Sequence, residues 1–161
     1  MNGPILQCNQ LMKRYGKKEA LKGIDLTLER GRIIGLLGPN GSGKTTLIKL
    51  INVLLTPTSG ELLVGGYHPG EEGKAIVSYL PERTYLNDWM KVSDIIAFFQ
   101  DFYSDFNENK AYDMLQRLNI QPSMRLKTMS KGTKEKVQLI LVMSREAQLY
   151  CLDEPIAGVD P

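Results

Sequence analysis

The stretch IIGLLGPNGSGKTT occupies residues 33–46, an apolar run followed by a glycine-rich loop that ends in Lys44, Thr45 and Thr46. Gly38, Gly43, Lys44 and Thr45 fill every specified place of the pattern GxxxxGK[ST], which wraps the phosphates of a nucleoside triphosphate. Ordinary residue frequencies produce that match in about one chain of this length in a few hundred. Its surroundings agree with the motif. Residues 33–37 predict a buried parallel strand and residues 45–55 an amphipathic helix, so the loop falls between strand and helix.

The loop composition follows from its chemistry. Glycines at 38, 41 and 43, spaced by Pro39, Asn40 and Ser42, let the backbone curl with its N–H groups inward, and the helix behind adds the positive end of its dipole. Lys44 reaches the β- and γ-phosphates, Thr45 offers a hydroxyl to Mg²⁺, and Thr46 approaches the α-phosphate. The competing reading, a glycine-rich turn with a surface lysine, explains neither the spacing nor the flanking elements.

Bulk properties narrow the class. The chain has 161 residues, enough for one domain with a real core, and 42% hydrophobic with 24% charged residues is ordinary for a folded soluble protein. Twenty basic against 18 acidic residues leave a net charge of +2, too balanced to imply nucleic acid as a main partner. Apolar stretches fall short of the roughly 20 residues of a membrane span, and the N-terminus lacks the pattern of a signal peptide, so a cytoplasmic location is expected. Cys8 and Cys151 sit in apolar strand-like runs without metal-type spacing and read as reduced core thiols.

Residues 6–12 and 24–28 alternate apolar and polar side chains and read as an antiparallel pair, with a third short strand at 62–64 after the turn TPTSG at 56–60. Residues 76–80 form a β-rich run. Ser93 is a candidate cap for a helix carrying Ile95, Ile96, Phe98, Phe99 and Phe102, and a second helix is expected over about 107–118. Most of the aromatic run Trp89, Phe98, Phe99, Phe102 and Tyr103 is expected in the core. A third helix, about 132–147, leads into the apolar strand 149–152, which ends in Asp153 and Glu154. That acidic pair suits the motif: Asp153 would hold Mg²⁺, directly or through water, and Glu154 would polarise an attacking water. Alone, it would read as two solvated strand-end acids.

With these motifs in order, the chain resembles the nucleotide-binding subunit of an ATP-binding-cassette (ABC) transporter along essentially its whole length. The resemblance implies an α/β fold: a P-loop core (33–55, 76–82, 148–161), a small antiparallel β subdomain (1–32, 56–75) and a helical subdomain (86–147), all within one cassette domain spanning 1–161. Tyr15, in KRYGKKEAL, matches the aromatic residue that stacks on adenine. YLPERTYL at 79–86 matches the Q-loop, with Glu82 as its metal-side residue. MSKGT at 129–133 lies where the family carries LSGGQ, so Ser130, Lys131 and Gly132 would cap the γ-phosphate of a second cassette in a head-to-tail homo- or heterodimer. IAGVD at 156–160 matches the D-loop, with Asp160 its carboxylate.

Three departures stand out. Glu82 replaces the usual glutamine, and Lys131 with Thr133 replace a glycine and a glutamine of the signature. These changes resemble cassettes paired with separate export-type permeases. The chain also stops just past the D-loop, so the C-terminal part of the core is expected to be missing and the chain alone to turn over little ATP. Its single histidine, His68 in HPGEEG, reads as a surface residue rather than the family's switch histidine.

The function implied is ATP binding and hydrolysis, with ATP and Mg²⁺ as ligands, powering a separate transmembrane permease in the export direction from the inner face of the cell membrane. The helical segment 86–120 would dock that permease. Two alternatives stay open: a soluble ABC ATPase acting on ribosomes or DNA, and an ATP-binding module with little turnover.

Overall fold

Two apolar–polar alternations near the N-terminus make a hairpin because a two-residue loop with glycine first lets the strands reverse. The computed structural model describes residues 3–82 and 86–154 and separates into two units, Met1–Val77 and Ser78–Pro161. In the first, β1 (Leu6–Tyr15) pairs antiparallel with β2 (Lys18–Leu28), Leu6 facing Leu28 and Tyr15 facing Lys18. Gly16, at φ +58, supplies the positive φ that such a loop demands. Both strands outrun the expected 6–12 and 24–28. Strand β3 (Ser59–Val64) adds to the other edge of β1, giving the order β2-β1-β3.

The β1–β2 register shifts at three places, and the first, between Cys8 and Leu11, has a packing consequence. Cys8 faces Leu26 and Leu11 faces Ile24, so three steps of β1 meet two of β2; Asn9 and Met12 face Glu61 and Ser59 with the same mismatch. Gln10 takes up the extra residue as a bulge at φ +46, its N–H donating to Asp25 Oδ1 at 2.7 Å. Leu11 is thereby buried alongside Leu6 and Cys8, where strict alternation would have turned Gln10 inward.

Burial pushes the Cys8 thiol up to about 11 from an ordinary 9.0. The unfolded thiol ionises first, so this contribution to stability is complete below pH 9.0 and is lost as pH rises toward about 11, at up to ~1.4 kcal/mol per pH unit. Urea midpoints measured across that alkaline window should fall less steeply in Cys8→Ala than in the parent chain, after correction for the variant's lower starting stability. Cys151 is likewise buried, so both cysteines are the core thiols expected.

Helix α1 (Lys44–Ile51) buries Leu47, Ile48, Leu50 and Ile51, the stripe of an amphipathic helix. It ends short of the expected residue 55. Val53 N–H donates to Leu50 O at 3.1 Å and Leu54 N–H to Lys49 O at 2.9 Å, the paired bonds of a Schellman end. Val53 occupies the place usually given to glycine, at φ +56, where a β-branched residue is strained. Val53→Gly should therefore raise stability by roughly 0.5–1 kcal/mol even after glycine's extra unfolded-state entropy, readable as a higher urea midpoint. A short helix, α2 (Glu71–Ala75), lies where no helix was anticipated.

Residues 33–37 do not form the expected buried strand: Ile33 and Leu37 are 105% and 93% exposed. A strand apolar on both faces needs a hydrogen-bonding neighbour to satisfy its backbone and cover its side chains. Neither sheet among the described residues includes this segment.

In the second unit, β4 (Val77–Leu80), which begins at the last residue of the first, and β5 (Leu149–Leu152) form a two-stranded sheet. Ser78 Oγ donates to Val142 O at 2.8 Å, which satisfies a buried hydroxyl. Three helices, α3 (Val92–Phe102), α4 (Glu108–Arg117) and α5 (Lys131–Met143), pack around Ile95, Ile96, Leu115, Val137, Ile140 and Leu141. Lys91, not Ser93, caps α3, with Asp94 Oδ2 accepting the Lys91 N–H at 3.3 Å. Asn107 caps α4 by accepting the Lys110 N–H at 3.0 Å. Helix α5 stops at Met143, earlier than residue 147, and Ser144 O accepts the Asn107 N–H at 2.7 Å.

The aromatic run divides. Phe99 and Tyr103 pack on the core, whereas Trp89, Phe98 and Phe102 are 63%, 57% and 68% exposed. Phe98 and Phe102, one helical turn apart, stack with centroids 6.0 Å apart and planes 17° from parallel. The expectation that most of these rings are core is thus corrected. The α3 stripe is only wide enough to bury one side of the helix.

Candidate nucleotide site

The phosphate loop sits at the start of α1, with Gly43 as the residue before the helix at φ +95. A Cβ at Gly43 would lie 2.6 Å from Ala20 O and 2.7 Å from Leu21 Cδ2, so only glycine lets the loop rest against β2. At Gly38 a Cβ would stand 2.8 Å from Ser42 Oγ, and the loop is closed by Ser42 N–H donating to Pro39 O at 3.2 Å. Lys44 Nζ donates to Gly38 O at 2.6 Å and Pro39 O at 2.9 Å, which draws the ammonium across the mouth of the loop. Thr45 and Thr46 follow in the first helical turn, both partly buried.

This arrangement fits a polyphosphate. It combines a helix N-terminus, a loop too tight for a side chain at Gly43 and a lysine anchored at the loop's rim. Tyr15 ends β1 beside the hairpin loop, 46% exposed, with Lys13 Nζ 5.4 Å from its ring centroid, so an aromatic face is open at the end of the β2-β1-β3 sheet.

The acidic candidates belong to the second unit. Asp153 is buried directly after β5, its N–H donating to Leu80 O at 2.9 Å, while Glu154 is exposed at φ +49. A non-glycine residue in that region stores backbone strain, and such positions concentrate at functional sites. The Thr45 hydroxyl in the first unit and the Asp153 carboxylate in the second are each a hard oxygen donor of the kind Mg²⁺ takes. Glu82, exposed after β4 in the second unit, is another carboxylate of that kind, whereas Asp160 lies outside the described residues.

Ser130 caps α5: its Oγ accepts the Thr133 N–H at 3.2 Å and lies 2.9 Å from Thr133 Oγ1. Lys131, 77% exposed, reaches Glu135 at 3.8 Å. A Cβ at Gly132 would meet nothing within 4 Å, so the fold of this chain does not require glycine there.

A family model described as ABC transporter matches residues 21–157. The chain belongs to the ABC transporter ATP-binding family. Among curated relatives of this ABC chain, the linearmycin resistance ATP-binding protein LnrL of Bacillus subtilis is 31% identical over 98% of the chain and 53% of its own length. The SkfA peptide export ATP-binding protein SkfE of the same organism is 31% identical over 97% of the chain and 68% of its own length. A solved ATP-binding protein of a putative ABC transporter from Pyrococcus furiosus superposes with a TM-score of 0.84 at 31% identity, covering 96% of this chain and 78% of that one. The fold is therefore the ABC-type P-loop fold with antiparallel and helical parts. The chain spans about half the length of the first two curated relatives, 53% and 54%.

Sequence reading of this ABC domain missed the charged residues that brace the helical part. Asp105 and Arg145 form a two-point pair at 2.8 and 2.9 Å, and Asp88 holds Lys134 Nζ with both oxygens at 3.0 Å. The partners stand 40 and 46 positions apart, so no local pattern announces them.

Proposed function

We propose that this ABC domain binds and hydrolyses ATP as one of two head-to-tail cassettes that power a separate membrane permease. The observation that carries the reading is Gly132. A glycine one residue inside a helix N-terminus destabilises that helix, and nothing within 4 Å of a would-be Cβ demands it. Close approach of something outside the chain explains it. A phosphate held by another cassette's loop is the partner that a helix N-terminus capped by Ser130 fits.

In this reading Tyr15 stacks on adenine. Gly38, Pro39, Asn40, Gly41, Ser42 and Gly43 wrap the phosphates with Lys44 and Thr46. Thr45, Asp153 and Glu82 would hold Mg²⁺, which when bound neutralises phosphate charge. Glu154, exposed beyond the strand, accepts a proton from water aligned on the terminal phosphate. Asp160 would line the cassette interface. The proposed division assigns residues 1–32 and 56–75 to the β subdomain, 86–147 to the helical subdomain and 33–55, 76–82 and 148–161 to the core. Exposed and mutually stacked, Phe98 and Phe102 give the helical part an apolar patch for a cytoplasmic segment of the permease. The names of two relatives, one for linearmycin resistance and one for peptide export, support export from the inner face of the membrane.

Gly132→Ala tests the reading in the protein as expressed from its gene. Stability should rise by roughly 0.5–1 kcal/mol while ATP turnover drops about tenfold and ATP affinity measured without turnover stays unchanged. Undiminished turnover would sink the paired-cassette assignment.

A further inference from the structure

We propose that Asp88 is a positioning residue for the Ser130 end of α5, tying the segment after Glu82 to the segment proposed to cap a partner's phosphate; this rests on the Ser130 role given above. Residues 88–92 run beside 124–127 as a seam. Val92 N–H donates to Met124 O at 3.0 Å, Leu126 N–H to Met90 O at 3.2 Å, and Lys127 N–H to Asp88 O at 2.8 Å. Side chains strengthen it: Arg125 Nη1 donates to Trp89 O at 2.7 Å, and Lys127 Nζ lies 3.9 Å from the Trp89 ring centroid.

Asp88 extends the seam into the helix. Its carbonyl holds the residue before Thr128, and its two carboxylate oxygens, both at 3.0 Å, hold Lys134 Nζ one turn beyond Ser130. Lys134 N–H in turn donates to Ser130 O at 3.0 Å, so the ammonium and the capping serine belong to one hydrogen-bonded turn. The side chains of Asp88 and Lys134 are 49% and 23% exposed, and an ion pair that open adds little to global stability. Its geometric effect is more specific. It fixes the direction in which the first turn of α5 leaves the seam, and hence where Ser130 Oγ and the N–H groups of that turn point. A shift of Asp88 to Met90, which follow Glu82 within a few residues, moves the Ser130 turn with it.

The test compares Asp88→Asn, Lys134→Gln, the conservative Lys134→Arg, the exchange Asp88→Lys with Lys134→Asp, and Ser130→Ala, in the protein as expressed from its gene. Readouts are kcat, KM for ATP, ATP affinity without turnover, and Tm. Asp88→Asn and Lys134→Gln should lower kcat about threefold to tenfold with KM, ATP affinity and Tm nearly unchanged. Lys134→Arg and the exchange should recover most of the loss. Normal kcat in either single variant, an exchange no better than the singles, or a loss of kcat that follows a loss of Tm overturns the proposal. Ser130→Ala separates the two layers. If it lowers kcat while Asp88→Asn does not, only the positioning role fails; if it leaves kcat unchanged, the Ser130 reading fails and this proposal falls with it.

Discussion

Lys44→Ala is expected to abolish measurable ATP turnover, a loss of about two to three orders of magnitude, while leaving the fold intact. The expectation follows from what Lys44 touches. Its ammonium is held only by carbonyls of its own loop, Gly38 O at 2.6 Å and Pro39 O at 2.9 Å, among the bonds described for it. Those carbonyls lie on a partly open surface where water replaces a lost donor, so the stability cost is small. A phosphate held by backbone N–H groups, in contrast, loses its one mobile point charge at the oxygen where negative charge grows during transfer. Circular dichroism and urea unfolding should overlay those of the parent, and a steady-state phosphate-release assay on the protein as expressed from its gene should read background. Turnover within tenfold of the parent would remove Lys44 from the reaction.

Asp105→Ala is expected to destabilise the chain by about 3–5 kcal/mol, the largest stability effect of any single charge here. Arg145 has only 7% of its side chain exposed, and its Nε and Nη2 meet the two Asp105 oxygens at 2.8 and 2.9 Å. Its guanidinium carbon also lies 4.1 Å from the Tyr103 ring centroid, and the Tyr150 hydroxyl donates to its carbonyl. Removing the carboxylate takes the anion away from both the Nε and Nη2 donors of this largely buried cation, which costs far more than the intact pair contributes. Partial burial also holds the Tyr150 hydroxyl above its ordinary value. The double variant Asp105→Leu with Arg145→Met should be milder than Asp105→Ala alone, because no charge is then stranded. Urea midpoints for the three proteins decide it. A double variant worse than the single would mean that packing, not charge pairing, dominates.

The two parts of the candidate site differed in legibility. The loop was readable because its chemistry is local: eight consecutive positions supply the turn, the donors and the helix start, and glycine at 43 is demanded both by φ and by contact with β2. Asp153 and Glu154 were readable only because the loop raised the meaning of an apolar strand ending in acids. Apart from α2, the helices were placed within a few residues, but caps and ends depended on tertiary partners. Lys91 took the cap from Ser93 through its bond with Asp94, and α1 ended early in the left-handed Val53. Residues 33–37 went wrong for a physical reason: apolarity signals a need for burial, and whether a neighbour meets that need is not written in the segment itself.

The order of motifs along the chain therefore determined the family and singled out the residues proposed to bind phosphate, because both readings depend on short spacings that backbone geometry converts directly into position. Tertiary structure alone decided that Gln10 bulges so that Leu11 is buried, that Phe98 and Phe102 face outward while Phe99 and Tyr103 face the core, and that Asp88 and Asp105 find lysine and arginine partners 40 or more residues away. Such pairings depend on which surfaces meet after folding, and a charge that is paired carries no mark in sequence that distinguishes it from one left in water.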